Sequence, residues 1–146
     1  MRIVSTSAEQ TKKIAADLAK NLLKNQASKA LVLALEGKLG AGKTTFVQGF
    51  IKALLPKARV KSPTFLLIKH YPRRGRDIYH IDCYRIKGPA DFKFFDIKEI
   101  LNSPKNIVLV EWAERIKRIL PKHHTTIGFK HGEENIRIIN ISGLPK

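Results

Sequence analysis

Acidic residues are scarce in this chain of 146 residues, which holds 12 Asp and Glu against 28 Lys and Arg. The resulting formal net charge of +16 disfavours cationic partners and favours nucleic acid, nucleotides or acidic proteins. The alternative explanation for the high net charge is a lysine bias shared by all proteins of the source organism. The basic residues are uneven, however, because residues 57–76 contain seven Lys and Arg and no acid.

Cysteine and long apolar runs are lacking as well. Cys83 is the one cysteine, which excludes an internal disulfide. No apolar run reaches the roughly 20 residues of a membrane-spanning helix. The first ten residues also lack the apolar core of a signal peptide. These absences predict a cytoplasmic protein without membrane attachment.

Three of the nine glycines lie within residues 37–42. The sequence "GKLGAGKT" at residues 37–44 fits the phosphate-binding pattern G-x-x-x-x-G-K-[ST]. The backbone N–H groups of such a loop bind phosphate oxygens, and the following helix adds the positive end of its dipole. In this motif Lys43 would reach the β- and γ-phosphates, and the Thr44 hydroxyl would bind Mg²⁺.

The surroundings of the loop agree with that interpretation. Residues 30–35 form a short apolar run typical of a buried strand. Apolar residues then recur at helical spacing from Phe46 to Leu54 and stop before Pro56. The pattern predicts one P-loop ATPase domain over residues 1–146.

The rest of the chain alternates between strand and helix patterns. Ser7 and Gln10 have capping-box spacing at the start of a predicted helix that ends near Asn25. Strands are predicted at residues 3–4, 65–71, 77–82 and 107–110, helices at 91–101 and 114–120, and a terminal hairpin within 125–141. The alternation predicts an α/β P-loop NTPase fold, with a mixed central β-sheet flanked by helices.

Two acids stand at the ends of predicted strands. Glu111 follows the apolar run "IVLV" and is a candidate to bind Mg²⁺, to act through a metal-bound water, or to orient the attacking water. Its structural alternative is a surface acid that caps the next helix. Asp82 ends "DIYHID" and would carry metal, hold a metal-bound water or couple to a mobile loop. Its alternative is an exposed acid paired with Arg85.

Three further features lie near these acids. The stretch "SPTF" at residues 62–65 falls where a switch hydroxyl would sense the γ-phosphate, which makes Thr64 a candidate. His80 shares a strand face with Asp82 and is predicted to be a hydrogen-bonded structural histidine, with a catalytic role as the alternative. Trp112 is the single tryptophan of the sequence, and a tryptophan usually lies in a core or at an interface.

Together "GKLGAGKTTF", "SPTF", "HIDCYRI" and "VLVEWAER" resemble the TsaE family, also called YjeE, from about Ser5 through Gly143. Its members are bacterial ATPases of tRNA threonylcarbamoyladenosine biosynthesis. The resemblance implies ATP and Mg²⁺ as ligands and the proteins TsaB and TsaD as partners, with tRNA bound through the complex. The family is commonly acidic, so the charge of this chain is a departure.

The resemblance also implies a set of site residues. ATP would be bound by Gly40, Ala41, Gly42, Lys43, Thr44 and Thr45, with Thr11 close to the nucleotide. Thr44 and Glu111 would lie on the metal side. The implied catalytic residues are Lys43, Asp82, Glu111, Thr64 and Trp112.

Two other functions use the same features. A small-molecule P-loop kinase would need an arginine-bearing lid, for which the loop carrying Arg73, Arg74 and Arg76 is the candidate. A basic nucleotide-dependent nucleic-acid-binding module would use the charge and merely hold nucleotide. For the main interpretation, the three arginines are predicted to form an exposed electropositive patch that contacts the partner complex or its bound tRNA.

Overall fold

Seven strands form one mixed sheet in the computed structural model, which describes residues 1–25, 28–63, 67–92 and 96–146. The strands are β1 (Arg2–Ser5), β2 (Leu31–Glu36), β3 (Ile68–Tyr71), β4 (Asp77–Asp82), β5 (Asn106–Glu111), β6 (Thr125–His131) and β7 (Arg137–Ser142). Their order across the sheet is β1-β7-β6-β2-β5-β4-β3.

The centre of the sheet is parallel. β2 pairs with β5 and β6, and β5 pairs with β4, all in parallel, whereas β3, β1 and β7 make antiparallel pairs. Every residue of β5 is buried, as its apolar run predicts for a strand covered on both faces. The register aligns Leu35 and Asp82 with Glu111, so the carboxyl ends of the three central strands meet at one edge.

Within the described ranges, three α-helices cover the sheet: α1 (Ala8–Leu23), α2 (Lys43–Leu54) and α3 (Ile97–Asn102). Leu33 and Leu35 of β2 pack with α1 and α2 in one core, whereas Val32 and Ala34 pack with α3 in a second core on the opposite face. The predicted α/β fold with a mixed sheet is therefore confirmed. Across the described ranges, no helix combines the length and apolar character needed to cross a membrane.

The helices that follow β4 and β5 differ from the prediction. The helix predicted at 91–101 is wrong in extent, because α3 begins only after Asp96, whose carboxylate accepts from the Glu99 N–H at 3.3 Å. A short 3-10 helix (Pro89–Phe92) precedes it, and residues 93–95 lie outside the described residues. The helix predicted at 114–120 is instead a 3-10 helix (Ala113–Ile119), kinked at Ile116.

Helices α1 and α2 pack closely on one face of the sheet. Gly49 of α2 makes this possible, because a Cβ there would lie 2.5 Å from both the Cα and the carbonyl oxygen of Lys12. Phe46 of α2 meets Phe129 of β6 edge to face, with 5.6 Å between ring centroids. These contacts fix the start of α2 against the carboxyl edge of the sheet.

Candidate nucleotide-binding site

Residues 37–42 connect β2 to α2 at the carboxyl edge of the sheet. Gly42 immediately precedes α2 with φ at +107°, a conformation that costs side-chain-bearing residues free energy. Gly42 has no side chain with which to cap the helix, so the N–H groups of the first turn are left for another acceptor. An anion is the acceptor that a helix N-terminus favours.

Gly37 sets how closely the loop approaches the sheet. Its φ is +146°, and a Cβ there would lie 2.7 Å from the carbonyl oxygen of Phe129. At Gly40 the situation is the reverse, since no described atom lies within 4 Å of an added Cβ. The loop therefore packs against β6 at Gly37 and is open to a ligand at Gly40. A phosphate-binding loop needs such an open side.

Lys43 is almost completely buried, with 4% of its surface exposed. Its Nζ donates to the carbonyl oxygens of Gly37 and Lys38 and lies 4.1 Å from the centroid of the Trp112 ring. Burial lowers the pKa of Lys43, although the nearby carboxylates, Glu111 foremost, act to raise it. The ammonium group is therefore held within the loop, where it would contact a bound phosphate.

Glu111 joins the end of β5 to the start of α2. Its Oε1 accepts from the Thr44 hydroxyl at 2.7 Å, and its Oε2 lies 2.6 Å from Nε2 of His80. Glu111 is 2% exposed, so it is not a surface acid capping the next helix. Hydroxyl and carboxylate oxygens are ligands that Mg²⁺ prefers.

The donor set fits Mg²⁺ rather than a metal held by protein alone. No group of three His, Cys, Asp or Glu suitable for a metal occurs among the described residues. Mg²⁺ usually keeps several waters and binds through one or two protein ligands plus substrate phosphates. Thr44 and Glu111 beside a phosphate cradle would supply the protein part of such a site.

Asp82 lies at the same edge, one strand away. It is buried, and its Oδ2 accepts from the Ser62 hydroxyl at 3.0 Å while its Oδ1 accepts from the Tyr84 N–H at 2.9 Å. The alternative of an exposed strand-end acid is therefore wrong. Asp82 instead ties the strand end to the beginning of "SPTF"; Thr64 of that stretch lies outside the described residues.

Trp112 turns the chain sharply after Glu111. Its φ of +57° and ψ of +41° are left-handed, a conformation that costs a non-glycine residue roughly 1–2 kcal/mol. Its ring lies 5.1 Å from that of Tyr84 and 5.3 Å from the guanidinium carbon of Arg115. The half-buried indole forms one wall of the site, with Lys43 against its face.

Two of the clefts beside the loop share Gly40, Gly42 and Thr45. The first, of about 290 Å³, is lined by Leu39, Gly40, Ala41, Gly42, Lys43, Thr44, Thr45, Ser62, Asp82, Tyr84, Glu111 and Trp112. The second, of about 370 Å³, is lined by Thr6, Ser7, Ala8, Thr11, Gly40, Gly42, Thr45, Asn135 and Arg137. Because these three residues line both clefts, a nucleotide with its phosphates in the first cleft would place its nucleoside in the second.

The structure brings together all the predicted site residues that it describes, with Thr11 on the second cleft. The Thr11 hydroxyl is 2.7 Å from the Ser5 hydroxyl, and the Ala41 N–H donates to the Lys38 carbonyl at 3.1 Å. Sequence reasoning missed Arg137, whose Nη2 lies 3.4 Å from the Gly40 carbonyl oxygen. It comes from β7, and no motif marks it.

The arginine loop lies at the other edge of the sheet. It precedes Asp77, which pairs with Asn106 at the start of β5, so the six residues of β4 separate it from the site by roughly 20 Å. Arg74 is exposed, but the prediction of three exposed arginines is wrong for Arg73, which is half-buried, and for Arg76. Nη2 of Arg76 donates to the carbonyl oxygens of Lys29 and Asn106, at 2.8 and 3.1 Å, and burial lowers its pKa.

The sequence has close counterparts among known proteins. Residues 5–139 match the family described as "Threonylcarbamoyl adenosine biosynthesis protein TsaE". The chain is 36% identical to the tRNA threonylcarbamoyladenosine biosynthesis protein TsaE of Haemophilus influenzae over 127 residues, covering 86% of this chain and 80% of that protein. It is 40% identical to the protein of the same name from Aquifex aeolicus over 117 residues, covering 79% and 78%.

A solved structure is similar over almost the whole chain. The crystal structure of YdiB from Bacillus subtilis superposes with a TM-score of 0.72 and 32% sequence identity, covering 99% of this chain and 86% of that one. This likeness supports the α/β fold, in which β2, residues 37–42 and α2 form a strand–loop–helix unit. Since the family match spans residues 5–139, this chain belongs to the TsaE family.

Proposed function

We propose that this chain binds ATP and hydrolyses it with Mg²⁺ as the ATPase of tRNA threonylcarbamoyladenosine biosynthesis, acting with TsaB and TsaD in the cytoplasm. The observation that carries the proposal is the 2.7 Å hydrogen bond between the Thr44 hydroxyl and Glu111. It joins the phosphate loop to a buried strand-end acid, which is the arrangement that P-loop hydrolysis requires. Membership of the TsaE family supports the pathway.

The phosphate loop and Lys43 would bind the triphosphate. The first N–H groups of α2 would donate to phosphate oxygens, helped by the positive end of the helix dipole. When ATP binds, the Lys43 ammonium would exchange its hydrogen bonds to the neutral carbonyls of Gly37 and Lys38 for hydrogen bonds to the anionic phosphate oxygens. A hydrogen bond from the ammonium to an anionic oxygen adds the attraction between opposite charges, which a neutral carbonyl lacks, so this exchange favours the bound state.

Thr44 and Glu111 would form the metal side of the site. The Thr44 hydroxyl donates a hydrogen bond to Glu111, which leaves the lone pairs of the hydroxyl oxygen for a cation. Bound Mg²⁺ would neutralise charge that develops on the phosphate oxygens. Glu111 would bind the metal, act through a metal-bound water or orient the attacking water.

Asp82 and Trp112 would couple the site to its surroundings. Asp82 holds the Ser62 hydroxyl and thereby the start of the segment that contains Thr64, the proposed sensor of the γ-phosphate. Trp112 covers Lys43 and reduces its contact with water, which strengthens the electrostatic interactions of the ammonium group.

The two other functions fit less well. A kinase lid at the arginine loop is disfavoured because that loop lies at the opposite edge of the sheet. A nucleic-acid module that merely holds nucleotide does not require the contact between Thr44 and Glu111. ATP turnover without an added acceptor would argue against the kinase, and ATP-independent, salt-sensitive tRNA binding would support the nucleic-acid module.

The decisive experiment is reconstitution with TsaB, TsaD, tRNA and the threonylcarbamoyl donor. We expect tRNA modification over many cycles to require both this chain and ATP. Omission of the chain and replacement of ATP by a non-hydrolysable analogue serve as the two controls. Undiminished multiple turnover in either control would contradict the proposal.

A further inference from the structure

His80 lies directly behind the acid at the centre of the site. It is fully buried on β4, with 0% of its surface exposed, and its Nε2 lies 2.6 Å from Oε2 of Glu111. The strand register places His80 opposite Leu109, so the pair runs diagonally across β4 and β5 on one face of the sheet. The contact is therefore built into two neighbouring strands.

The direction of this hydrogen bond follows from the chemistry of its partners. An ionised carboxylate only accepts, so Nε2 of His80 is the donor. Nδ1 of His80 is buried and has no hydrogen-bond partner among the residues that the structure describes. A proton on Nδ1 would be a buried N–H without an acceptor, which costs free energy. These contacts favour the tautomer that carries its proton on Nε2.

The two oxygens of Glu111 are thus divided between two partners. Oε2 accepts from His80, and Oε1 accepts from Thr44. A glutamate side chain has rotational freedom that must be lost before it can bind a cation in one geometry. Fixing Oε2 from behind removes much of this freedom in advance and keeps Oε1 directed at Thr44.

We infer that His80 is a positioning residue, which orients Glu111 toward Thr44 and the Mg²⁺ that accompanies ATP. The inference rests on the proposed function. His80 reaches neither the phosphate loop nor the first cleft by any described contact, so it would act only through Glu111. Partners of metal-ligating side chains typically change metal affinity by about 10- to 100-fold when they are removed.

The test compares two amide substitutions of His80. In His80→Gln the amide nitrogen can occupy the position of Nε2 and donate to Glu111, whereas the shorter side chain of His80→Asn cannot reach. The measured quantity is the affinity of the full chain for a fluorescent, non-hydrolysable ATP analogue, with and without Mg²⁺. We expect the ratio of the two affinities to fall about tenfold in His80→Asn and to stay within about threefold of wild type in His80→Gln.

A matched control is His70→Asn, because His70 also pairs with a carboxylate, that of Asp77 at 3.1 Å, but far from the site. We expect wild-type affinities for that variant. An unchanged ratio in His80→Asn, an equal loss in both His80 variants, or no effect of Mg²⁺ on the wild type would overturn the inference. Failure of the wild type to bind the analogue at all would instead contradict the proposed function.

If the His80 variants do not fold, a measurement on the wild-type chain still tests the inference. ¹⁵N NMR of the histidine rings reports which nitrogen carries the proton. We expect the buried ring of His80 to be protonated at Nε2, with a resonance that shifts when Mg²⁺ joins the bound analogue. Protonation at Nδ1 with a bare Nε2, or no shift, would overturn the inference.

Discussion

Lys43 is the residue whose loss should affect ATP hydrolysis most directly. We expect Lys43→Ala to reduce ATP hydrolysis more than about a hundredfold, as removal of a single charge-stabilising donor does in other enzymes. The variant should fold, because burial lowers the pKa of Lys43 and folding therefore disfavours its charged form at neutral pH. This penalty fades only as the pH rises toward the unfolded-state value of 10.5.

Lys38→Ala is the matched control for Lys43→Ala. Lys38 is exposed in the same loop and contributes its backbone carbonyl, which the substitution keeps. ATP hydrolysis and circular dichroism would be measured for both variants. Wild-type hydrolysis by a folded Lys43→Ala would contradict the assignment.

A single substitution of Glu111 tests the proposed Mg²⁺ site. Glu111→Gln retains an oxygen that can accept from Thr44 but loses the negative charge beside the proposed metal. We expect ATP binding to persist and Mg²⁺-dependent turnover to fall about 10- to 100-fold. Glu114→Gln removes an exposed nearby charge as a control. If turnover and its Mg²⁺ dependence match the wild type, Glu111 has a structural role only.

The sequence predicts those site residues whose roles depend only on their neighbours along the chain. The phosphate loop is predictable because Gly37 and Gly42 need backbone geometries that side chains oppose, and Lys43 follows at fixed spacing. Arg137 and the contact between His80 and Glu111 are not predictable, because they depend on which strands lie side by side and in what register.

Among the elements, the contact between α1 and α2 offers the sharpest test of packing. In Gly49→Ala the added methyl gains about 1 kcal/mol of helix propensity. It also meets the backbone of Lys12 at 2.5 Å, and overpacking costs about 1–3 kcal/mol. Because backbone yields less easily than a flexible side chain, we expect a net loss of about 1–2 kcal/mol in the free energy of unfolding.

Urea denaturation would measure this loss, with Gly88→Ala as the control. No described atom lies within 4 Å of a Cβ added at Gly88, so we expect a change of less than about 0.5 kcal/mol. The packing argument fails if Gly49→Ala is as stable as Gly88→Ala.

The sequence predicts where elements occur better than how they end. Ser7 caps α1 by accepting from the Gln10 N–H at 3.0 Å, as expected, but the Gln10 side chain accepts from the Thr6 N–H rather than from that of Ser7. The segment before α3 shows the same limit. Apolar spacing continued from 91 to 101, yet Asp96 begins a new helix, since a local cap competes with continuation of a helix.

For the whole molecule, topology separates the site from the arginine loop. Parallel strands carry the phosphate loop, Asp82 and Glu111 to the carboxyl edge, whereas the loop before β4 lies at the amino edge. Charge on that loop is beyond the Debye length of about 8 Å at physiological salt from the nucleotide site. It would act on a partner that contacts the amino edge.

The last prediction therefore concerns assembly. We expect Arg73→Ser with Arg74→Ser to leave ATP binding unchanged and to weaken assembly with TsaB, TsaD and tRNA. Arg76 is kept because its guanidinium binds two backbone carbonyls. The Arg73 N–H that donates to Asp77 also survives substitution. Each lost phosphate contact should lower the slope of log affinity against log salt by about 0.7–0.9.

Lys20→Ser with Lys24→Ser removes the same charge from exposed positions at the end of α1 and is the matched control. The affinity of the complex would be measured at several salt concentrations for the wild type and both double variants. A smaller slope in the arginine variant alone would support a specific contact at the arginine loop, because both variants have the same net charge. Equal changes in both would assign the effect to bulk charge, and equal slopes in all three proteins would contradict a contact there.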